Sequence, residues 1–386
     1  MPKFTPTNPP ARVFTPRASD INDRMYVRRE ELEEKLRRAL SSTKFIVIHG
    51  ESGNGKTWLY KKIFRELDVF TQVMNLSTAD SMGSLSAAIE SKMAESGIEP
   101  DFGSVSSLLR FVQYIRHQAG SRQAVLVLDN FEQVVDNDKI LREIAAAIIS
   151  ADDESVAAAN VKIVIVGTPN DIRAMISKLA SGSTISNRLT EIPEVARMSQ
   201  AEAVDLIERG LEREIGLNIT VDKTQLLHDI SWKTDRIAQH IHEFCLNIAY
   251  EAIKNDGEIS NEVVSIAERQ WMDEYLSADW AIIDGIMNAR ETRAGRKNQV
   301  IFALGQCETE DFTSTDIERI VRDEFPVSTA NVGLNVIQIL AGFSKESSPM
   351  IRRTPKNNAY RLVSPKFRMA IRSRLAKNDH ERVIVV

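Results

Sequence analysis

Four short apolar runs mark the first half of the chain, and amphipathic stretches separate them. The runs cover residues 44–49, 69–76, 124–129 and 161–167. Each is short and rich in Val, Ile and Leu, which is typical of a strand buried on both faces of a parallel sheet. The stretches between them have helical periodicity. This order predicts an α/β domain with a parallel sheet over residues 25–195.

The second half of the chain loses this alternation. No strand pattern appears from Ser199 to Lys254, and Ser199 with Glu202 forms a capping-box sequence that opens a helix running to Gly216. We therefore expect a small helical domain over residues 196–257. More helices follow, and then residues 350–354 and 359–363 flank a turn. A hairpin after helices is the order of a winged helix, predicted here for residues 258–386 with a basic C-terminal helix.

Composition changes the picture mainly at the N-terminus. Five of the twelve prolines fall within the first twenty residues, so residues 1–24 are predicted to form a flexible arm without helix or core contacts. No apolar run is long enough to span a membrane, and the first residues lack the apolar run of a secretory signal. Cys245 and Cys307 are the two cysteines, too few for a disulfide framework. We expect a soluble cytoplasmic protein with two core thiols.

The strongest chemical signal follows the first apolar run. Residues 50–57 read GESGNGKT, which matches G-x-x-x-x-G-K-[ST] between a predicted strand and a predicted helix, the context that a phosphate-binding P-loop requires. Its glycines let backbone N–H groups surround a phosphate, its lysine bridges the β- and γ-phosphates, and its hydroxyl reaches Mg²⁺. The predicted nucleotide-binding residues are Gly50, Ser52, Gly53, Asn54, Gly55, Lys56, Thr57 and Trp58.

A second site element lies at the end of the third apolar run. Asp129 ends the strand AVLVL at the edge where α/β sheets bind ligands, so we expect it to hold Mg²⁺ through water together with Thr57. A water-activating carboxylate is expected next, but position 130 is Asn. Glu132 could be a second carboxylate at the metal, a substitute base or an exposed helix acid. The sequence therefore predicts a slow ATP hydrolase.

These elements resemble the AAA+/STAND branch of P-loop ATPases over residues 25–255. Arg29 and Glu30 are similar to the box that opens the origin-initiator clade and STAND proteins. Residues 166–171 resemble sensor 1, which implies that Asn170 lies near the γ-phosphate. Residues 186–189 resemble the box whose arginine, here Arg188, reaches a neighbouring subunit's nucleotide. Residues 234–238 resemble sensor 2, which assigns Arg236 to the phosphates of its own site, whereas VLVLDNFEQVV is similar to the STAND Walker B strand.

Structural roles compete with each of these assignments. Asn170 could cap the helix that follows it, and Arg188 could be a solvated arginine near a strand. Arg236 could pair with Glu243 or with another acid on its own helix.

Charge is separated along the chain. Residues 345–377 hold ten basic residues against one acid, a net charge of +9, which leaves −14 for the rest of a chain with net charge −5. Arg352, Arg353, Lys356 and Arg361 in the hairpin are therefore the predicted nucleic-acid contacts. On the preceding helix, Asn331, Asn335 and Gln338 are predicted to share one polar face. The basic flank of the last helix, within SPKFRMAIR, is either such a surface or the solvated face of a docked helix.

Together the patterns predict a parallel-sheet P-loop NTPase core, a helical lid and a C-terminal winged-helix domain. The predicted function is an ATP-binding, oligomeric switch with ATP and Mg²⁺ as ligands, acting with DNA or an effector protein. A DNA-loading initiator or transposition-regulator ATPase is one alternative, and a nucleotide-gated protein-binding scaffold is another.

Overall fold

The chain folds as two compact units. The computed structural model describes residues 4–17, 20–97, 107–150, 154–168, 172–179, 182–287, 295–354 and 359–386. Residues 17–197 form one unit, and the chain up to Pro16 joins residues 198–386 in the other. Within the described part, none of the helices combines the length and apolarity that a membrane span requires.

The N-terminal segment is folded, so the prediction of an arm without helix or core contacts is wrong. Helix α1 (Pro10–Val13) begins with a proline, which is tolerated at the first helical position. Phe14 is fully buried, with its ring edge-on to His242 at 5.7 Å, and Thr15 N–H donates to His242 Nδ1 at 2.9 Å. Partners more than two hundred residues away supply the contacts that the local composition does not.

The unit of residues 17–197 is built from helices packed around a sheet. Its helices are α2 (Glu30–Ser41), α3 (Lys56–Glu66), α4 (Leu76–Met82), α5 (Leu85–Glu95), α6 (Ser107–Ala119), α7 (Asp138–Ser150), α8 (Glu154–Ala159), α9 (Ile172–Leu179) and α10 (Gly182–Arg188). Its strands are β1 (Phe45–His49), β2 (Phe70–Asn75), β3 (Ala124–Asp129), β4 (Val161–Gly167) and β5 (Leu189–Glu191), and a 3₁₀ helix covers Phe131–Gln133.

The sheet is parallel, which confirms the predicted fold class. Strands β1, β3 and β4 are mostly buried on both faces, whereas the edge strand β2 buries only Met74. In the described residues its order is β2-β3-β4-β1-β5. Alternate residues of β1 enter different cores: Val47 packs with residues of α4–α7, while Ile46 and Ile48 pack with residues of α2 and α3. Strand β5 escaped sequence analysis because its three residues, Leu-Thr-Glu, are too few to show a pattern.

A helical region follows the core. It contains α11 (Gln200–Glu208), a π-helical segment (Arg209–Ile215), α12 (Lys223–Lys233) and α13 (Ala238–Lys254), with the short parallel strands β6 (Asn218–Ile219) and β7 (Glu258–Ile259). The predicted capping box is present, because Ser199 and Glu202 bond each other's backbone N–H groups. Gly216 ends the helical run in the left-handed conformation, as its position predicts.

The C-terminal region combines helices with small antiparallel sheets. Its helices are α14 (Asn261–Trp271), a π-helical segment (Met272–Leu276), α15 (Ser277–Ile286), α16 (Arg296–Gln306), α17 (Ser314–Glu324), α18 (Pro326–Thr329), α19 (Val336–Phe343) and α20 (Lys366–Arg374). Its strands are β8 (Asp311–Phe312), β9 (Ile351–Arg353), β10 (Tyr360–Leu362), β11 (Leu375–Lys377) and β12 (Val383–Val385). The predicted hairpin is present as β9 and β10, and β8 pairs with β10.

One detail of this region differs from the sequence prediction. Helix α19 begins only at Val336, and Asn331 and Asn335 before it are left-handed, with φ of 56° and 55°. Asparagine tolerates this conformation better than most residues. Asn331, Asn335 and Gln338 therefore do not share one helical face, although all three side chains are exposed. Cys245 and Cys307 are buried free thiols, as predicted.

Candidate nucleotide-binding site

The glycine-rich loop connects β1 to α3, as the motif requires. Gly50, Gly53 and Gly55 have φ of 150°, 84° and 90°, a region that glycine enters at little cost. A Cβ on Gly50 would lie 2.4 Å from the Val195 carbonyl oxygen, so no side chain fits there. The sequence predicted this loop but not the segment around Val195 that packs against it.

Lys56 lies inside the loop rather than in solvent. Its Nζ donates to the carbonyls of Gly50 at 2.8 Å and Glu51 at 3.0 Å. Burial lowers the pKa of its amino group, whereas the carboxylates of Glu132, Glu51 and Asp129 act in the opposite direction. A cation surrounded by carbonyl oxygens at a helix N-terminus is placed where an anionic phosphate could replace those carbonyls.

The remaining loop side chains point in different directions. Ser52 is exposed, while Thr57 and Trp58 are half-buried. Asn54 is 2% exposed, and neither its Oδ1 nor its Nδ2 has a hydrogen-bond partner among the described residues. The Asn54 amide is thus turned into the protein, so this residue can face a ligand through its backbone.

Asp129 lies at the carboxyl end of β3. Its Oδ2 accepts from the Tyr60 hydroxyl at 3.3 Å, and its Oδ1 accepts from Asn130 N–H at 2.9 Å. Burial raises the pKa of this carboxyl, and both hydrogen bonds lower it. Asp129 and the Thr57 hydroxyl offer the oxygen ligands that Mg²⁺ prefers, so the chemistry of the residues present fits this ion.

Asn130 is held by the neighbouring strand. Its φ of 62° is left-handed, and its Nδ2 donates to Asn75 Oδ1 at 3.0 Å. Asn75 pairs in register with Asp129, which brings the ends of β2 and β3 together. Sequence analysis missed Asn75 and Tyr60. Tyr60 follows Lys56 by four residues, one helical turn, and this spacing was the available signal.

Glu132 faces the end of β4. Its Oε2 accepts from Thr168 N–H at 3.1 Å, and its charge interacts with that of Lys56. A Cβ on Gly167 would lie 2.7 Å from Phe131 Cβ, so glycine permits this close approach of the 3₁₀ helix to β4. Glu132 is therefore a carboxylate held beside the loop rather than an exposed helix acid. Asn170, the predicted sensor 1 residue, lies outside the described residues.

Arg29 braces the segment that packs on the loop. It precedes α2, its N–H donates to Glu33 Oε1 at 3.1 Å, and its Nη1 donates to the Ala196 carbonyl at 2.5 Å. Ala196 follows Val195, the residue whose carbonyl excludes a side chain at Gly50. The observed role of Arg29 is thus to hold residues 195–196, and its role at a nucleotide remains a prediction.

Arg188 lies at the opposite edge of the sheet from the loop. It precedes Leu189, which pairs with Phe45 at the start of β1, whereas the loop follows the end of β1. Five strand residues separate these edges by roughly 16 Å. Arg188 lines a cavity of about 860 Å³ together with Arg116 and Arg122. This position is compatible with action on another subunit rather than on its own loop.

Arg236 belongs to the other compact unit and lies between α12 and α13. Asp235 and Arg236 are both left-handed, with φ of 50° and 57°, an arrangement that costs on the order of 1 kcal/mol for each non-glycine residue. The Arg236 Nη2 lies 3.7 Å from Glu308 Oε2. Two strained residues in succession indicate that the surrounding structure holds this turn.

The structure divides the predicted nucleic-acid contacts. Arg352 and Arg353 are exposed on β9, and Lys356 lies outside the described residues. Arg361 is 7% exposed, and its Nε donates to Asp311 Oδ1 at 2.7 Å. Its assignment to nucleic acid is therefore wrong, because its charge is buried against a carboxylate. Arg368 and Arg372, on the flank of α20, are also buried, which favours the docked-helix alternative for those two residues.

Comparison with known proteins agrees with this geometry. Residues 37–176 match the family model of the AAA domain. This part of the chain is therefore similar to an AAA domain. No curated protein matches the sequence.

Solved structures extend the similarity of fold to most of the chain. The Walker-type ATPase PABY2304 of Pyrococcus abyssi matches with 15% identity and a TM-score of 0.52, covering 90% of this chain and 96% of that one. The ORC2 protein of Aeropyrum pernix in ADPNP–ADP complexes matches with 15% identity and a TM-score of 0.55, and the match covers 94% of this chain and 97% of that one. The ADP form of the same ORC2 protein matches with 15% identity and a TM-score of 0.53, and the match covers 92% of this chain and 94% of that one.

Proposed function

We propose that this protein is an ATP-binding molecular switch of the AAA+/STAND type that couples its nucleotide state to self-assembly and to a DNA or protein partner. The observation that carries the proposal is the convergence of Lys56, Asp129 and Glu132 around one glycine-rich loop. The ADP and ADPNP complexes named for the ORC2 structures support a nucleotide as the ligand.

Each predicted residue of the nucleotide site then has a chemical role. Lys56 exchanges its two carbonyl partners for the β- and γ-phosphate oxygens of ATP, and backbone N–H groups of the loop bind the β-phosphate. Thr57 and Asp129 would hold Mg²⁺, and the ion would supply positive charge next to the phosphates. Asn170, as sensor 1, contacts the γ-phosphate.

Hydrolysis in this scheme is slow because Asn130 cannot accept a proton from the attacking water. Glu132 is the carboxylate available for that task. Asn130→Glu is expected to raise the turnover rate in a steady-state assay of phosphate release. A fast natural enzyme that Glu132→Gln inactivates would instead make Glu132 the established base and refute slow hydrolysis.

Two arginines couple the bound nucleotide to changes in conformation and assembly. Arg236 binds the phosphates of its own site, so ATP favours a closed arrangement of lid and core. Arg188 reaches the nucleotide of a neighbouring subunit and makes assembly depend on ATP. The placement of Arg188 at the sheet edge away from its own loop supports this role.

DNA binding is the partner function that the exposed charges of the wing favour. Arg352 and Arg353 project from β9, where they could neutralise phosphates without reading base sequence. A DNA-loading initiator or transposition regulator is therefore the alternative function, and similarity of fold to ORC2 over most of the chain supports it. A scaffold whose winged helix binds protein alone is the third candidate.

One experiment separates these functions. The mass of the protein in solution is measured by light scattering with ADP, with ATP, and with ATP and duplex DNA. A switch assembles with ATP and not with ADP, and a DNA-acting protein forms a further, salt-sensitive complex. An unchanged mass in all three conditions would refute nucleotide-dependent assembly. An assembly that forms with ATP but shows no further increase in mass with DNA at low salt would favour the protein-binding scaffold.

A further inference from the structure

A buried ion cluster holds the strained turn that carries Arg236. The carboxylate of Asp235 accepts hydrogen bonds from two arginines of α20: Arg368 Nη1 donates to Oδ2 at 2.6 Å, and Arg372 Nη1 donates to Oδ1 at 3.0 Å. All three side chains are at most 3% exposed. Helix α20 lies more than 130 residues further along the chain, so this contact joins the helical region to the C-terminal region.

Both arginines are fixed by further contacts. Arg372 Nη1 also donates to the Trp232 carbonyl at 2.6 Å, and its guanidinium lies 3.4 Å from the centre of the Trp232 ring. Arg368 Nη2 donates to the Thr309 carbonyl at 2.8 Å. A buried ion pair adds little net stability compared with an apolar pair, but it strongly disfavours other geometries, because a displaced partner leaves a buried charge unpaired.

Arg236 itself is held by contacts that lie next to the cluster in the chain. The Arg236 N–H donates to the Ser231 carbonyl, and its carbonyl accepts from Met198 N–H, each at 2.9 Å. Its guanidinium partner, Glu308, immediately precedes Thr309, which Arg368 binds. Helix α20 therefore contacts the residue before Arg236 and the segment that supplies its carboxylate partner.

We propose that Asp235, Arg368 and Arg372 are positioning residues for Arg236. The two arginines of α20 hold the left-handed turn and so set the direction of the Arg236 side chain. The inference rests on the proposed function, since it requires Arg236 to contact ATP.

The test is a double-mutant cycle on the full-length chain, with the dissociation constants of ATP and ADP measured by calorimetry. Arg236→Ala is expected to weaken ATP binding about tenfold, the order of one charge-assisted hydrogen bond. Arg368→Lys keeps the charge but loses the second donor direction, and we expect ATP binding about fivefold weaker, at the low end of coupling between sites. In the Arg236→Ala background Arg368→Lys should have no further effect.

Arg361→Lys is the matched control. Arg361 is another buried arginine of the C-terminal region, and its carboxylate partner is Asp311 rather than Asp235. The Arg361→Lys variant should have a lowered melting temperature, as the Arg368→Lys variant should, but its affinities for ATP and ADP should be unchanged. If Arg368→Lys fails to fold, Arg368→Gln takes its place, because its amide can still donate to Asp235 while Arg372 continues to pair with that carboxylate.

The outcomes separate the inference from the proposed function. If Arg236→Ala does not change ATP affinity, the sensor role of Arg236 fails, and the positioning role fails with it. If Arg236→Ala weakens ATP binding but Arg368→Lys does not, or weakens it equally in both backgrounds, the sensor stands and the positioning role is overturned. Equal effects of Arg361→Lys and Arg368→Lys on affinity would also overturn it.

Discussion

Replacing Lys56 with alanine tests the centre of the proposed site. In the absence of nucleotide the substitution removes two hydrogen bonds to backbone carbonyls, worth about 1 kcal/mol each, so the free energy of unfolding should fall by about 1–2 kcal/mol at most. With ATP it removes two charge-assisted contacts to phosphate, at about 1.5 kcal/mol each. The sum of about 3 kcal/mol corresponds to ATP binding about 150-fold weaker.

Calorimetric titration with Mg²⁺ and ATP measures this loss directly, and thermal unfolding gives an independent value. At an ATP concentration 100 times the wild-type dissociation constant, the nucleotide stabilises the wild-type fold by about 2.7 kcal/mol, and the variant by only about 0.3 kcal/mol. Lys62→Ala is the control, because Lys62 is also on α3 but pairs with Asp23 at 2.9 Å. Equal ATP affinities for the two variants would refute the assignment of the loop.

Three further predictions follow from the geometry. Tyr60→Phe removes a hydrogen bond that lowers the pKa of Asp129, so this pKa, already raised by burial, should rise further. The pH below which Mg²⁺-dependent ATP binding is lost should therefore move to a higher value. Protonated Asp129 contributes to folding stability below the ordinary pKa of Asp, and this contribution is lost as the pH rises through the folded-state pKa, so in the variant the loss should occur at a higher pH. Arg188→Ala should leave ATP affinity intact and reduce assembly-stimulated hydrolysis about a thousandfold; full activity in an isolated wild-type monomer would contradict action between subunits. Reversing the charges of Arg352 and Arg353 together should reduce the slope of log DNA affinity against log salt concentration by about 1.8 units. An unchanged slope would show that DNA binds a different surface of the protein.

The nucleotide site was predictable where its parts are contiguous in the chain. Eight adjacent residues form the loop, and an apolar strand ends directly at Asp129. Such segments need only their immediate neighbours, because the strand, the turn and the helix N-terminus are local structures. Tyr60 and Asn75 reach the same site through a helical turn and a strand register. A motif does not show these relations.

Charge was the property that the sequence described least well. The count of +9 for residues 345–377 treated every basic residue as exposed. Arg361, Arg368 and Arg372 are buried against Asp311 and Asp235. Because those carboxylates lie 50 to 137 residues away in the chain, no local window reveals the pairing.

The sequence by itself determined the α/β core, the phosphate-binding loop and the capped helix after Ser199, because each depends on periodicity or on residues within one turn of each other. The tertiary structure alone decided the burial of Phe14 and the ion cluster around Asp235. These depend on which distant segments exclude water together. Burial and charge pairing are properties of that three-dimensional arrangement, since desolvation depends on every segment that packs on a group, whatever its place in the chain.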